Sequence, residues 1–266
     1  MNSEWKTRYE AASDFAQRAA KLALGYFEGT FQIEWKGDLS PVTVADREAE
    51  HLLRTLLTEA FPHDGFLGEE YGDTPGSSSF RWIIDPIDGT RSFVRGIPIW
   101  ATLLGLEYKD EQIAGIAVAP AMGHVYRALR GDGAYRNDRR IHVSAVDKLS
   151  DAMMFYSSLS WFVKAGMQAE FMDLAVRTQR NRGFGDFYGF VLVAQGSGEL
   201  MVEYGVHAWD VAALKPIVEE AGGRYSCWDG STSIHKPDVL VSNGLLHDEV
   251  LHMLRGKTYQ QNVMVT

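Results

Sequence analysis

Trp82-Ile-Ile-Asp-Pro-Ile-Asp-Gly-Thr90 runs from an apolar strand pattern into two carboxylates, a proline and a glycine. Arg81 to Asp85 reads as a strand, expected to stop at Pro86, which has no N–H to give a ladder. Gly89 permits a tight turn, so Asp88 can fold back beside Asp85. Two carboxylates so close repel each other unless a cation sits between them. Read alone, Asp-x-x-Asp-Gly is also an ordinary turn whose side chains cap their own backbone. An EF-hand is excluded, because the twelfth position counted from Asp85 is Gly96 and not Glu.

Upstream of this stretch lie two helices. Trp5, Tyr9, Ala12, Ala16, Ala19, Ala23 and Tyr26 recur by fours and threes, which is one apolar helix face. A second helix is expected from Val44 to Ala60, with Ala49, Leu52, Leu53, Leu56 and Leu57 inward and Pro62 as its stop. Gly65-Phe-Leu-Gly68 is a short apolar segment that ends in Glu69-Glu70.

Downstream, Leu103–Leu106, Ile113–Val118 and Val125–Leu129 are apolar runs separated by turn signals, which predicts an antiparallel meander. After Val146 the pattern changes. Met153–Tyr156, Leu200–Glu203 and Val239–Val241 read as strands, Asp186–Gln195 and Asp210–Ala221 as helices. The expectation is an α/β chain of two sub-domains sharing a wall: 1–145 with an antiparallel sheet, and 146–266 with a smaller mixed sheet.

Composition narrows the function. Hydrophobic residues make up 45% of the 266 residues and charged residues 23%, which suits a chain with a sizeable buried core. Asp and Glu outnumber Lys and Arg by 35 to 26, for a net charge of −9. That sign disfavours nucleic acid and anionic membranes as partners. A small anionic substrate would be repelled as well, unless a cation waits in the site. The one cysteine, Cys227, rules out an internal disulfide and a cysteine zinc cluster. No apolar run approaches a membrane span, and charges through Met1–Gly25 exclude a signal-peptide core. The default expectation is a cytoplasmic enzyme.

Two further acidic pieces join Asp85 and Asp88: Gly68-Glu-Glu70, and His207-Ala-Trp-Asp210 just before a helix. Singly, Glu69 is a surface charge and Asp210 a helix N-cap. Together, Glu69, Asp85, Asp88 and Asp210 offer the oxygen donors that hard divalent cations require.

The blocks Gly68-Glu-Glu70, Asp85-Pro-Ile-Asp-Gly-Thr90, Trp209-Asp210 and Glu219-Glu-Ala-Gly-Gly223 occur in the order seen in the inositol monophosphatase superfamily. Lys36 and Pro41-Val-Thr-Val-Ala-Asp46 resemble its N-terminal block, so the resemblance covers essentially the whole chain. It implies an αβαβα layered sandwich and a homodimer. It implies two or three Mg2+ ions, with Mn2+ as an alternative, held by Glu69, Asp85, the Ile87 carbonyl, Asp88 and Asp210. Thr90, supported by Asp46, would orient the attacking water, with Glu69 also in the catalytic set. The backbone N–H groups of Gly89 and Thr90 would receive a phosphate oxygen, and no phospho-enzyme is implied.

Within that superfamily, three stretches look like the bacterial histidinol-phosphatase branch: Thr90–Trp100, Phe155–Trp161 and Gly183–Tyr188. Ser242-Asn-Gly-Leu-Leu-His-Asp248 matches it too. L-Histidinol phosphate carries an ammonium that a carboxylate at Asp186 could pair with. Phe187, Tyr188 or Trp100 could pack on its imidazole. Glu203 matches a substrate-side acid of the family, and Arg91 joins the expected substrate-binding set with Gly89, Thr90, Asp186, Glu203 and Asp210. The alternatives are an inositol-1-phosphatase, a related sugar or nucleotide phosphatase, or a non-catalytic regulatory protein of the same fold.

Overall fold

Alternation along the strands decides where each element of this chain packs. The structure, a computed structural model, describes residues 2–29, 33–35 and 41–255. Lys36 lies outside them. In chain order the elements are α1 (Ser3–Phe27), β1 (Ile33–Trp35), β2 (Pro41–Thr43), α2 (Val44–Ala60), β3 (Gly65–Gly68), β4 (Gly72–Thr74), β5 (Phe80–Asp88), α3 (Thr90–Phe93), β6 (Ala101–Tyr108), β7 (Glu111–Ala119), β8 (His124–Leu129), β9 (Gly133–Arg136) and β10 (Arg139–Ile141). Then follow β11 (Met153–Phe155), α4 (Leu159–Lys164), α5 (Gln168–Arg177), β12 (Arg180–Arg182), α6 (Asp186–Ala194), β13 (Leu200–Tyr204), α7 (Ala208–Ala212), α8 (Leu214–Glu220), β14 (Arg224–Ser226), β15 (Asp238–Ser242) and α9 (His247–Leu254).

The first sheet has eight strands in the order β10-β9-β8-β7-β6-β5-β3-β4. Its pairs are antiparallel except β3 with β5, where Gly68 stands opposite Ile84 in parallel register. Trp82, Ile84, Leu104, Leu106 and Ile116 point to one face and pack with Tyr9, Ala12, Ala16 and Ala20 of α1 and Leu53 and Leu57 of α2. Ala12, Ala16, Ala19, Ala20 and Ala23 of α1 are fully buried; small side chains let that helix lie close on the sheet. Leu52 and Leu56, expected inward, are only half-buried at the edge of the α2 face.

Ile83, Leu103, Ala117 and Ala119 point the other way, onto α6, α7 and α8. Those helices are covered in turn by Met201, Val239 and Val241 of the five-stranded sheet β12-β11-β13-β15-β14. The opposite face of that sheet, Leu200, Val202 and Leu240, packs on Phe162, Phe171 and Leu174 and on Val250 and Leu254 of α9. The layers are therefore α, β, α, β, α. Gly105 and Gly115 are cross-strand partners in the first sheet. A Cβ at Gly115 would stand 1.8 Å from the Ala213 carbonyl oxygen, so bare backbone here lets the α7–α8 junction reach the sheet.

Three local expectations change. Strand β5 does not stop at Pro86; it continues to Asp88 through a register shift between Asp85 and Asp88. Proline is tolerated at such an irregularity because no ladder N–H is needed there, and the Pro86 carbonyl accepts from the Thr102 hydroxyl at 2.8 Å. The single helix expected over 210–221 is two, because Pro216 has no N–H for the carbonyl of Ala212, four residues back. Asp210 is not the N-cap: His207 is, and Asp210 in the first turn accepts the His207 N–H at 2.7 Å.

Candidate active site

Four element ends meet beside the C-terminal ends of β3 and β5 in the first sheet. β3 and β5 run parallel, so Glu69 and the Asp85–Asp88 segment leave the sheet side by side, and the Glu69 N–H donates to the Ile84 carbonyl at 3.2 Å. The first turns of α2 and α7 supply Asp46 and Asp210. The carboxylates of Asp85, Asp88 and Asp210 lie within 4.8 Å of one another. Glu69 stands outside that trio, yet among the neighbouring charges it acts most strongly on Asp85. Burial first, and then their neighbours' negative charges, push the carboxyls of Asp85 and Asp88 well above the ordinary range. Buried, mutually repelling oxygen donors at this spacing fit a hard divalent cation.

The turn after β5 is fixed by its own side chains. The Asp85 carboxylate accepts the Ile87 N–H at 3.0 Å, and Gly89 takes φ +87°, which favours glycine. The Thr90 hydroxyl donates to the Ile87 carbonyl at 2.9 Å and lies 3.4 Å from Asp46 Oδ1. Asp46 Oδ2 accepts both the Thr43 N–H and hydroxyl, so one side chain caps α2 and faces Thr90. Burial, partly offset by those bonds to Thr43, pushes the Asp46 carboxyl up to about 6.

Asp186 has φ +54°, unusual for a residue with a side chain. It does not cap α6. The Phe187 N–H instead donates to Asp88 Oδ2 at 2.6 Å, so a carboxylate of the acidic trio holds the start of α6. Burial and the charge of Asp210 push the Asp186 carboxyl up to about 6, opposed by exposed Arg91.

Asp88, Asp186, Glu203 and Asp210 line one cavity of about 100 Å3 with Ser157, Trp161, Phe190, Tyr204, Gly205 and Val206. Glu203 is 5% exposed, and burial drives its carboxyl well above the usual range. One of its oxygens accepts the Ser157 hydroxyl. The other, Oε2, is buried without a hydrogen-bond partner among the described residues.

Two aromatic expectations fail. Trp100 and Phe187 are fully buried: Trp100 packs between Phe27 and Phe93, and Phe187 belongs to the core between the sheets. Tyr188 is half-buried and packs on Phe184. The aromatics at the cavity are Trp161, Phe190 and Tyr204; Trp161 stands in the stretch Phe155–Trp161, and its place on α4 beside Gly205 is a tertiary fact.

A sequence model of the inositol monophosphatase family matches residues 4–262. The histidinol-phosphatase of Streptomyces coelicolor is 43% identical over 235 residues, 85% of this chain and 88% of that protein. The histidinol-phosphatase of Mycobacterium tuberculosis is 40% identical over 251 residues, 92% of this chain and 96% of that protein. Among solved structures, the extragenic suppressor protein suhB from Bartonella henselae superposes with a TM-score of 0.87 at 29% identity, covering 93% of this chain and 98% of its own.

Proposed function

This chain belongs to the inositol monophosphatase family, and from that premise we propose that it hydrolyses L-histidinol phosphate to L-histidinol and inorganic phosphate. One observation carries the choice of substrate. Beside the acidic trio lies a small cavity lined by four carboxylates among other residues, in which the buried Glu203 Oε2 has no hydrogen-bond partner among the described residues. A buried carboxylate oxygen left unpaired is costly. A primary ammonium next to the phosphoester supplies both the charge and the N–H donor that Glu203 Oε2 lacks, with the Asp186 carboxylate lining the same cavity. The names of the two histidinol-phosphatase relatives agree with this reading.

Asp85, Asp88 and Asp210 would hold the cation, with Glu69 and the Ile87 carbonyl as further oxygen donors. We assign Mg2+, two or three ions, with Mn2+ as a substitute. When bound, such cations neutralise phosphoryl charge and make a water more acidic. The chain's own part is positional. Thr90 Oγ, held by the Ile87 carbonyl and facing Asp46, orients the attacking water and passes its proton toward Asp46. The backbone N–H groups of Gly89 and Thr90 face a phosphate oxygen. Water oxygen bonds to phosphorus as the ester P–O bond breaks, and the departing alkoxide takes a proton to give the alcohol.

We also propose a homodimer in the cytoplasm. The lone cysteine, Cys227, is buried and unpaired, which suits a reducing compartment. Among the described residues no helix is long and apolar enough to cross a membrane.

The test is phosphate release from L-histidinol phosphate and from inositol 1-phosphate, side by side, with Mg2+ and with excess chelator. Mg2+-dependent release favouring histidinol phosphate is expected. Tenfold greater activity on inositol 1-phosphate overturns the substrate, and activity that survives chelation overturns the cation.

A further inference from the structure

The acid cavity accounts for the phosphate and ammonium of the proposed substrate but not for its ring. At about 100 Å3, shared by four carboxylates with Ser157, Phe190 and Tyr204, it is too small to take the ring as well. One of its walls, formed by Trp161, Gly205 and Val206, also borders a second cavity of about 560 Å3. The smaller space is about 100 Å3, under a fifth of that. Beyond the shared wall the lining turns apolar and aromatic: Leu67, Ala208, Trp209 and Pro237, with His207 and His235. His207 and Trp209 stack with centroids 4.9 Å apart and planes 7° from parallel, and make a flat shelf.

Trp161 stands between the two spaces and is held there. Gly205 has φ +89°, and a Cβ on it would sit 3.1 Å from the indole, so glycine lets the ring lie against the backbone. The Lys164 ammonium lies 3.9 Å from the indole centroid. A side chain restrained in this way loses little freedom when a ligand arrives.

Resting on the reading of the site given above, we propose that the substrate's imidazole leaves the acid cavity past Trp161 and lies in the aromatic groove bounded by Trp161, Val206, His207 and Trp209. Trp161 is then the residue that separates ring-bearing from ringless amino-alcohol phosphates. The two cavities divide the substrate: carboxylates take the ammonium, and the apolar groove takes the ring. Hydrolysis itself stays at Asp85, Asp88 and Asp210, and Trp161 acts on KM.

The experiment compares the Mg2+-loaded enzyme with Trp161→Ala and Trp161→Phe on two esters, L-histidinol phosphate and L-alaninol phosphate. The second keeps the phosphate and ammonium and replaces the imidazole with hydrogen. For Trp161→Ala, kcat/KM on histidinol phosphate is expected to fall tenfold or more, mainly through KM. On alaninol phosphate the loss should be at least fivefold smaller. Trp161→Phe should recover at least half of the preference for the ring-bearing ester, which a merely structural defect would not do. Equal losses on both esters, or no loss on histidinol phosphate, overturn the ring assignment and leave the phosphatase reading standing. A wild-type enzyme that hydrolyses neither ester overturns both.

Discussion

Replacing Glu203 with Gln should weaken catalysis and strengthen the fold at once. In the free enzyme Glu203 Oε2 is buried and unpartnered, and the nearby charges of Asp186 and Asp210 repel it. The amide keeps an acceptor for the Ser157 hydroxyl, which donates to Oε1 in the native protein. It removes the cost of a buried carboxyl that must either stay charged or take up a proton on folding, and leaves only a neutral N–H2 without a partner. The expected gain is about 1–3 kcal/mol of unfolding free energy, read as a rise of several degrees in melting temperature for a chain of this size. The substrate ammonium meanwhile loses a charged partner in a desolvated cavity. A charge-assisted bond of that kind contributes about 1.5–3 kcal/mol, which is roughly a 10- to 150-fold loss in kcat/KM on histidinol phosphate. Steady-state kinetics and thermal denaturation on one preparation, without substrate in the melt, give both numbers. A variant that loses stability and activity together makes Glu203 a structural residue. A variant with unchanged kcat/KM removes it from substrate binding.

Asp88→Asn keeps an oxygen to accept the Phe187 N–H, so the protein should fold while turnover falls on the order of 1,000-fold or more; activity that survives undiminished refutes the acidic trio as the cation site. Mg2+ should raise the melting temperature of the wild type by relieving repulsion among Asp85, Asp88 and Asp210, and the rise should shrink sharply in Asp88→Asn. Gly115→Ala puts a Cβ 1.8 Å from the Ala213 carbonyl oxygen and should cost at least about 3 kcal/mol in a denaturant titration; a neutral result means the α7–α8 junction can retreat from the sheet. His247 is buried between the Ser226 and Ser242 hydroxyls, both at 2.9 Å, and burial lowers its pKa from 6.5 to about 4. The unfolded chain therefore binds the proton first as pH drops. Stability that is full above 6.5 should decline between 6.5 and about 4, by about 3 kcal/mol, and His247→Gln should flatten that slope.

The chain by itself determined the elements and the donors. Period-four alanines placed α1, apolar runs separated by turn signals from Leu103 to Leu129 placed the meander, and the turn after Asp85 brought two carboxylates near one another. These are local consequences of side-chain periodicity and backbone freedom, written in consecutive residues. The four acidic blocks supplied the oxygen chemistry and, in their order, the family. Local reading went astray where a neighbour in space outweighed it. Pro86 did not end β5 because a register shift absorbed it; Phe187 went to the core between the sheets, and Trp100 to a separate cluster with Phe27 and Phe93, because apolar area that packing can reach is withdrawn from water. Tertiary structure alone decided that Asp210, more than a hundred residues after Asp85, arrives within 4.8 Å of it and Asp88. It also decided that Asp88 and not Asp186 holds the start of α6, that Glu203 keeps an oxygen without a partner, and that Trp161 stands between an acid cavity and an aromatic groove. Each of these depends on how two sheets and the helices between them stack, which no run of consecutive residues encodes.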